Sequence, residues 1–241
     1  PVNRLMDDEQ PAIPVDTLSD EVARQFSDHD WISAPVVDEN NVLLGRITID
    51  DVVDIIREQA DYQVLSAAGV SEDESLFSPV LRAFKGRFVW LSVNLGTAFL
   101  AASVVGRFES ALEAIVALAV LMPIVAGLGG NAGTQVLALM VRGIALGQVS
   151  GTNLPTLVWK EIRIAVMNGL LLGAVVGTVT LVWFEDIGIA LVIFAAMVIN
   201  LSCAALAGVL VPMTLKRLNI DPAVAGSVFL TATTDIMGFF A

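Results

Sequence analysis

The sequence is poor in the side chains that most enzyme chemistry requires. Its 241 residues include one cysteine, Cys203, and one histidine, His29. One cysteine allows neither a disulfide within the chain nor a cysteine-based zinc site. One histidine gives little support to a His-based metal site or to His-centred catalysis, and His29 reads as a solvated turn residue. Charge is also scarce, at 16% of residues against about 25% in ordinary soluble domains. The net charge is −12, so the basic face that nucleic-acid binding needs is missing. There is no apolar signal segment behind the opening Pro-Val, and the chain closes inside an apolar run, Gly238-Phe239-Phe240-Ala241. Both ends read as cuts through a longer protein.

What remains is strongly divided. Residues 1–78 hold 18 acidic and 4 basic side chains, a balance of −14, whereas residues 79–241 hold 7 and 9, a balance of +2. Hydrophobic residues make up 56% of the whole. Such asymmetry points to two parts in two environments.

The neutral part carries four apolar stretches long enough to cross about 30 Å of hydrocarbon: roughly 88–106, 112–141, 157–184 and 187–215. A fifth covers about 223–241. The basic residues alternate between connections. Arg82, Lys85 and Arg87 precede the first stretch, and Arg107 follows it. Arg142, Lys160 and Arg163 lie between the second and third, none between the third and fourth, and Lys216 and Arg217 before the fifth. Counting positive charge as inside puts the acidic module in the cytoplasm and the C-terminus outside, in an inner-membrane-type arrangement in contact with lipid. Trp90, Trp159 and Trp183 sit near the ends of stretches, as interface anchors do.

Two places in this part are polar where lipid would not be tolerated. The second stretch runs through Pro123 into Gly127-Leu128-Gly129-Gly130-Asn131-Ala132-Gly133-Thr134-Gln135. One reading is an unwound break lining an ion path, whose freed carbonyls are good ligands for hard cations. The other is close helix packing through small residues, which needs the glycines but not Asn131 and Gln135. The fifth stretch holds Asp235, the one acidic residue well inside any stretch, about 20 Å along a helix from Asp221. A carboxylate there costs at least about 2.5 kcal/mol in lipid and ordinarily marks an ion or proton pathway. No basic residue lies mid-stretch to pair with it. Thr231 and Thr234 are at i−4 and i−1, and Thr231 shares its face. Asn94, Asn168 and Asn200 read as hydrogen-bonding glue between helices, and Cys203 as a small buried residue. An intramembrane enzyme would need a second carboxylate, a His pair or a Ser/Lys dyad at depth, and the stretches offer none.

Residues 1–60 read as a small α/β module. A helix over 18–27 is capped by Asp16-Thr17, strands cover about 32–37 and 42–47 around the turn Asp38–Asn41, and a helix starts at Asp50. Residues 58–65 continue that helix, and 61–87 link the module to the first stretch through an exposed acidic triplet, Glu72-Asp73-Glu74. About 60 residues bury little core, so a partner module is expected. Dense carboxylates on one face repel one another, and hard divalent cations relieve that, so the acidity reads either as a solvated surface or as a cation sensor.

The run Pro123–Gln135, followed by Val141-Arg142-Gly143, resembles the signature of the MgtE family of magnesium channels. Asn219-Ile220-Asp221-Pro222-Ala223 leading into Thr233-Thr234-Asp235-Ile236-Met237-Gly238 resembles that family's last span, and residues 1–60 resemble the second of a pair of CBS repeats. The resemblance implies a multi-pass α-helical membrane protein, with five transmembrane helices over 88–241 behind a small α/β CBS-type module (1–60) and a connecting plug helix (61–87). It implies a homodimer that is not an enzyme, passing Mg²⁺ through a pore between protomers. Asp235 would hold the ion, and Gly129, Gly130, Asn131, Thr134, Thr231 and Thr234 would line the path. Mg²⁺ would also be a regulatory ligand, sensed through Asp51 and Asp54. In the plug helix the family's Glu and Glu-Asp are replaced by Gln59 and Tyr62-Gln63, with Glu58 and Asp61 offset. Thr48 and Asp51 match the CBS pattern for holding an adenosine nucleotide such as ATP. The competing expectation is a secondary transporter of divalent metals, coupled to protons or another cation, with Asp235 as the carrier.

Overall fold

The computed structural model describes residues 11–70, 74 and 76–241. The chain divides into two compact units, Pro1–Leu65 and Ser66–Ala241.

In the first unit, β1 (Ile13–Pro14) pairs in parallel with β2 (Ser33–Val37), which pairs antiparallel with β3 (Leu43–Thr48). The register sets Ser33 opposite Thr48 and Val36 opposite Gly45, with a bulge between Val36 and Val37. The β2–β3 turn is held by Asp38, whose Oδ1 accepts from Asn40 N–H (2.9 Å) and Val42 N–H (2.8 Å), while Asn41 takes the left-handed backbone. Helix α1 (Ser19–His29) and helix α2 (Ile49–Ala67) close the unit. Its core is Ile13, Val22, Ala23, Phe26, Ala34 and Val52, flanked by Trp31, Ile47 and Ile55. The expected Asp16-Thr17 cap is not made. Leu18 takes the N-cap position, and its apolar side chain offers no acceptor, while Thr17 N–H turns back to Pro14 O. His29 ends α1 and stacks on Trp31.

The second unit is helical. Its long elements are α3 (Val80–Gly106), α5 (Val116–Ala145), α6 (Leu154–Phe184), α7 (Ile187–Arg217) and α8 (Pro222–Phe240). Among the described residues these five are long and apolar enough to cross a membrane. A short α4 (Glu109–Ala114) precedes α5, so the expected second span is two helices parted at Ile115, whose backbone is not helical. Pro79 marks the start of α3, eight residues before the apolar stretch. Of the expected acidic triplet, Glu72 and Asp73 lie outside the described residues. Glu74 is not a solvated charge: its side chain is nearly buried and ion-paired with Arg87, whose Nε donates to it at 2.8 Å.

Helix α7 is the centre of this unit, packing on α5, α6 and α8. Leu121 and Val125 of α5 meet Ile193, Met197 and Leu201 of α7, and farther along Val136 and Met140 meet Ala205 and Val209. Helix α6 lies against α7 through glycines four apart. A Cβ on Gly169 would fall 2.8 Å from Val198 Cα, one on Gly173 3.1 Å from Phe194 O, and one on Gly177 3.2 Å from Ala190 O. Lipid supplies no hydrophobic drive between helices, so small residues that admit close backbone approach take over that role. The large side chains left on the outside, among them Phe99, Leu171, Val182 and Leu191, are apolar and suit a hydrocarbon surround.

Candidate ion pathway

Helices α5 and α8 run antiparallel, and their small residues fix the register. A Cβ on Gly238 would lie 3.1 Å from Ala126 Cα, and one on Gly130 3.8 Å from Thr234 Oγ1. One on Gly133 would lie 2.8 Å from a Leu230 methyl, and one on Gly226 2.9 Å from a Leu137 methyl. The α8 partners, 226, 230, 234 and 238, recur every four residues and so form one stripe. This register brings Asp235 level with Gly129, next to Gly130, and Thr231 level with Gly133, next to Thr134.

The polar side chains at that level sit on the outside of the chain. Asn131, Thr134, Gln135 and Thr231 are exposed, and Asp235 and Gly130 are partly buried. Thr134 Oγ1 donates to Gly130 O at 2.8 Å, and Thr231 Oγ1 to Ser227 O at 2.9 Å. Among the described residues the Asp235 carboxylate has no hydrogen-bond or ion-pair partner. Two of the expected lining residues face the other way. Gly129 is buried, because a Cβ there would fall 2.2 Å from Asn200 Nδ2. Thr234 is fully buried, its hydroxyl donating to Thr231 O at 3.1 Å. The expected unwound break is absent as well: α5 is helical from Val116 to Ala145 straight through Gly127–Gln135. The helix keeps its backbone bonded, since an unbonded carbonyl at membrane depth is costlier than the weak helix propensity of glycine and asparagine. Gly129 and Gly133 serve close approach, and the polar side chains rather than freed carbonyls form the exposed face.

Helix α8 begins at a firm cap. Asp221 Oδ1 accepts from Ala223 N–H at 2.8 Å, and Pro222 occupies the first helical position. That cap sets the phase with which Thr231 and Asp235 emerge farther along.

In the first unit, Asp51, Asp54, Glu58 and Asp61 are all exposed on α2. Their spacing of three, four and three places them on one helical face. Thr48 N–H and Oγ1 both donate to Asp51 Oδ2, at 3.0 and 2.8 Å. That is half of a capping box at the start of α2, so Thr48 and Asp51 are already engaged with each other. Gln59 bonds Asp20 across to α1. Among the described residues no three His, Cys, Asp or Glu side chains converge as a metal site within one chain.

Sequence reasoning passed over Glu161. It sits in the first turns of α6, is nearly buried and pairs with Lys160 at 3.2 Å. Its position among basic neighbours hid it, and only burial distinguishes it from a solvated charge.

Residues 122–241 match a family model described as MgtE, divalent cation transporter, and residues 2–58 match the CBS domain. The chain is 32% identical over 227 residues to a magnesium transporter MgtE of Bacillus subtilis, covering 93% of this chain and 50% of that protein. Proteins of the same name in Enterococcus faecalis and Thermus thermophilus are 34% and 30% identical, over 90% and 98% of this chain and 48% and 53% of theirs. The chain thus spans about half the length of these relatives.

Proposed function

The chain belongs to the MgtE family of divalent cation transporters, and on that premise we propose that it conducts Mg²⁺ through a pore formed where two copies meet. The chain is a multi-pass membrane protein. The observation that carries the proposal is the outward polar face of α5 and α8, with Asn131, Thr134, Gln135, Thr231 and Asp235 at mid-span. Facing lipid, that carboxylate alone would cost at least about 2.5 kcal/mol, so the face needs water or protein over it. A second copy related by a two-fold axis covers the face with itself. Water between the copies then keeps every polar group satisfied.

Mg²⁺ sheds its water reluctantly. Two Asp235 carboxylates, one from each copy, attract the ion through its hydration shell, while Asn131, Thr134 and Thr231 bond to its waters. Outer-shell binding is weak enough for release, which conduction requires. The acidic face of α2, with Asp51, Asp54, Glu58 and Asp61, is the regulatory half of the reading: cytosolic Mg²⁺ relieves its self-repulsion and so biases the connecting segment. The alternation of basic residues between connections supports a cytoplasmic module and an outside C-terminus. A nucleotide such as ATP held by Thr48 and Asp51 would compete with the bond these two residues make to each other.

The test is Mg²⁺ flux into liposomes carrying the full chain. Wild type is expected to follow the electrochemical gradient of Mg²⁺ alone, and Asp235→Ala to abolish flux while two copies still associate. Undiminished flux in Asp235→Ala would overturn the pore assignment. A requirement for a proton or co-ion gradient would replace the channel with a coupled transporter.

A further inference from the structure

Asn200 lies deep in α7, at the point where α5, α7 and α8 meet, and it is fully buried. Its Nδ2 donates to Val125 O of α5 at 2.8 Å. Its Oδ1 has no partner among the described residues. Room for the amide exists only because two glycines flank it. A Cβ on Gly129 would stand 2.2 Å from Nδ2, and one on Gly238 would stand 3.0 Å from the same atom. The two glycines belong to the two helices that bear the polar face. Gly129 directly precedes Gly130 and Asn131, and Gly238 is three residues beyond Asp235, about 4.5 Å along the axis.

We propose that Asn200 is a positioning residue for ion selection: by keying α5 to α7 and α8 at the level of Asp235, it sets how far apart the ion-facing side chains stand. The proposal rests on the Mg²⁺ pathway described above. Helix spacing in a membrane is set by close packing and hydrogen bonds, since lipid gives no hydrophobic drive. At this level the packing residues are Gly129, Ala126 and Gly238, which carry little or no side chain, so the amide is the spacer as well as the polar tie. A half-satisfied buried amide costs stability, about 1–3 kcal/mol for the unpaired acceptor. An apolar residue there would avoid that cost. An ion taken up with its water shell is discriminated by the width and reach of its polar lining, so a few tenths of an ångström at the junction alters which hydrated cation fits.

The experiment compares Mg²⁺ and Ca²⁺ flux in liposomes for wild type, Asn200→Ala, the double variant Gly129→Ala/Asn200→Ala and Asp235→Ala. Asn200→Ala is expected to remain folded and to change the Mg²⁺-to-Ca²⁺ flux ratio by about fivefold or more, the scale of one amide hydrogen bond. The double variant refills the junction with a methyl and is expected to regain thermal stability without regaining the wild-type ratio. A wild-type ratio in both Asn200 variants overturns the inference while leaving the pathway intact. Failure of both variants to assemble also overturns it, leaving Asn200 a role in folding only. Absence of Mg²⁺ flux in wild type, or unchanged flux in Asp235→Ala, would instead remove the pathway itself.

Discussion

Asp235 and Asn200 stand at nearly the same depth with opposite surroundings. One carboxylate faces outward without a partner in its own chain, and one amide is sealed among three helices. Their substitutions should separate accordingly. Asp235→Asn keeps shape and removes charge, so association of copies is expected to persist while Mg²⁺ flux falls at least about tenfold, read in liposomes. Gly129→Ala drives a methyl into Asn200 and is expected to cost about 1–3 kcal/mol, seen as earlier thermal unfolding in detergent. The Thr48–Asp51 bond gives a third contrast. Thr48→Ala removes the hydroxyl donor at the start of α2 and should lower stability by about 1 kcal/mol in a thermal melt. It is expected to leave the Mg²⁺ dependence of flux unchanged, because the Asp51 carboxylate is retained.

Between helices, the α6–α7 contact is the one most exposed to a single change. Gly169→Val would push a branched side chain against the backbone at Val198, and α6 has no room to shift because Gly173 and Gly177 touch α7 on the same stripe. The expected result is a loss of about 1–3 kcal/mol or more, measured as a lowered melting temperature. The spans themselves were legible because twenty apolar residues in succession allow few alternatives. The split at Ile115 and the early start of α3 were not, since local hydropathy does not report where a helix begins outside lipid. The polar run in α5 misled for a physical reason. Glycine, asparagine and threonine weaken a helix in water, but at membrane depth the cost of unbonded backbone overrides propensity. Which face of α5 looks outward depends on Asn200 and Leu230, in two other helices, so no local pattern could reveal that Gly129 and Thr234 turn inward while Asn131 and Thr231 do not.

Across the whole chain, a segment of −14 charge precedes one of +2. If cytosolic Mg²⁺ binds the acidic face of α2, trypsin cleavage at the exposed Arg24, Arg46 and Arg57 should slow as Mg²⁺ is raised, with K⁺ at matched ionic strength as the control. Asp54→Ala/Glu58→Ala, which leaves the α2 cap intact, is expected to abolish that protection. Equal protection by K⁺ would reduce the acidity to a solvated surface. The turn between α6 and α7 has a consequence for how the second unit is built. Glu185 takes the left-handed backbone, and Asp186 caps α7 by accepting from Gly188 N–H at 2.7 Å, so the two helices reverse within two acidic residues. Their far ends carry Lys160, Arg163, Lys216 and Arg217. A hairpin zipped by glycines, acidic at its tip and basic at its feet, forms one slab of two helices, and its α7 half is a wall on which the later α8 packs.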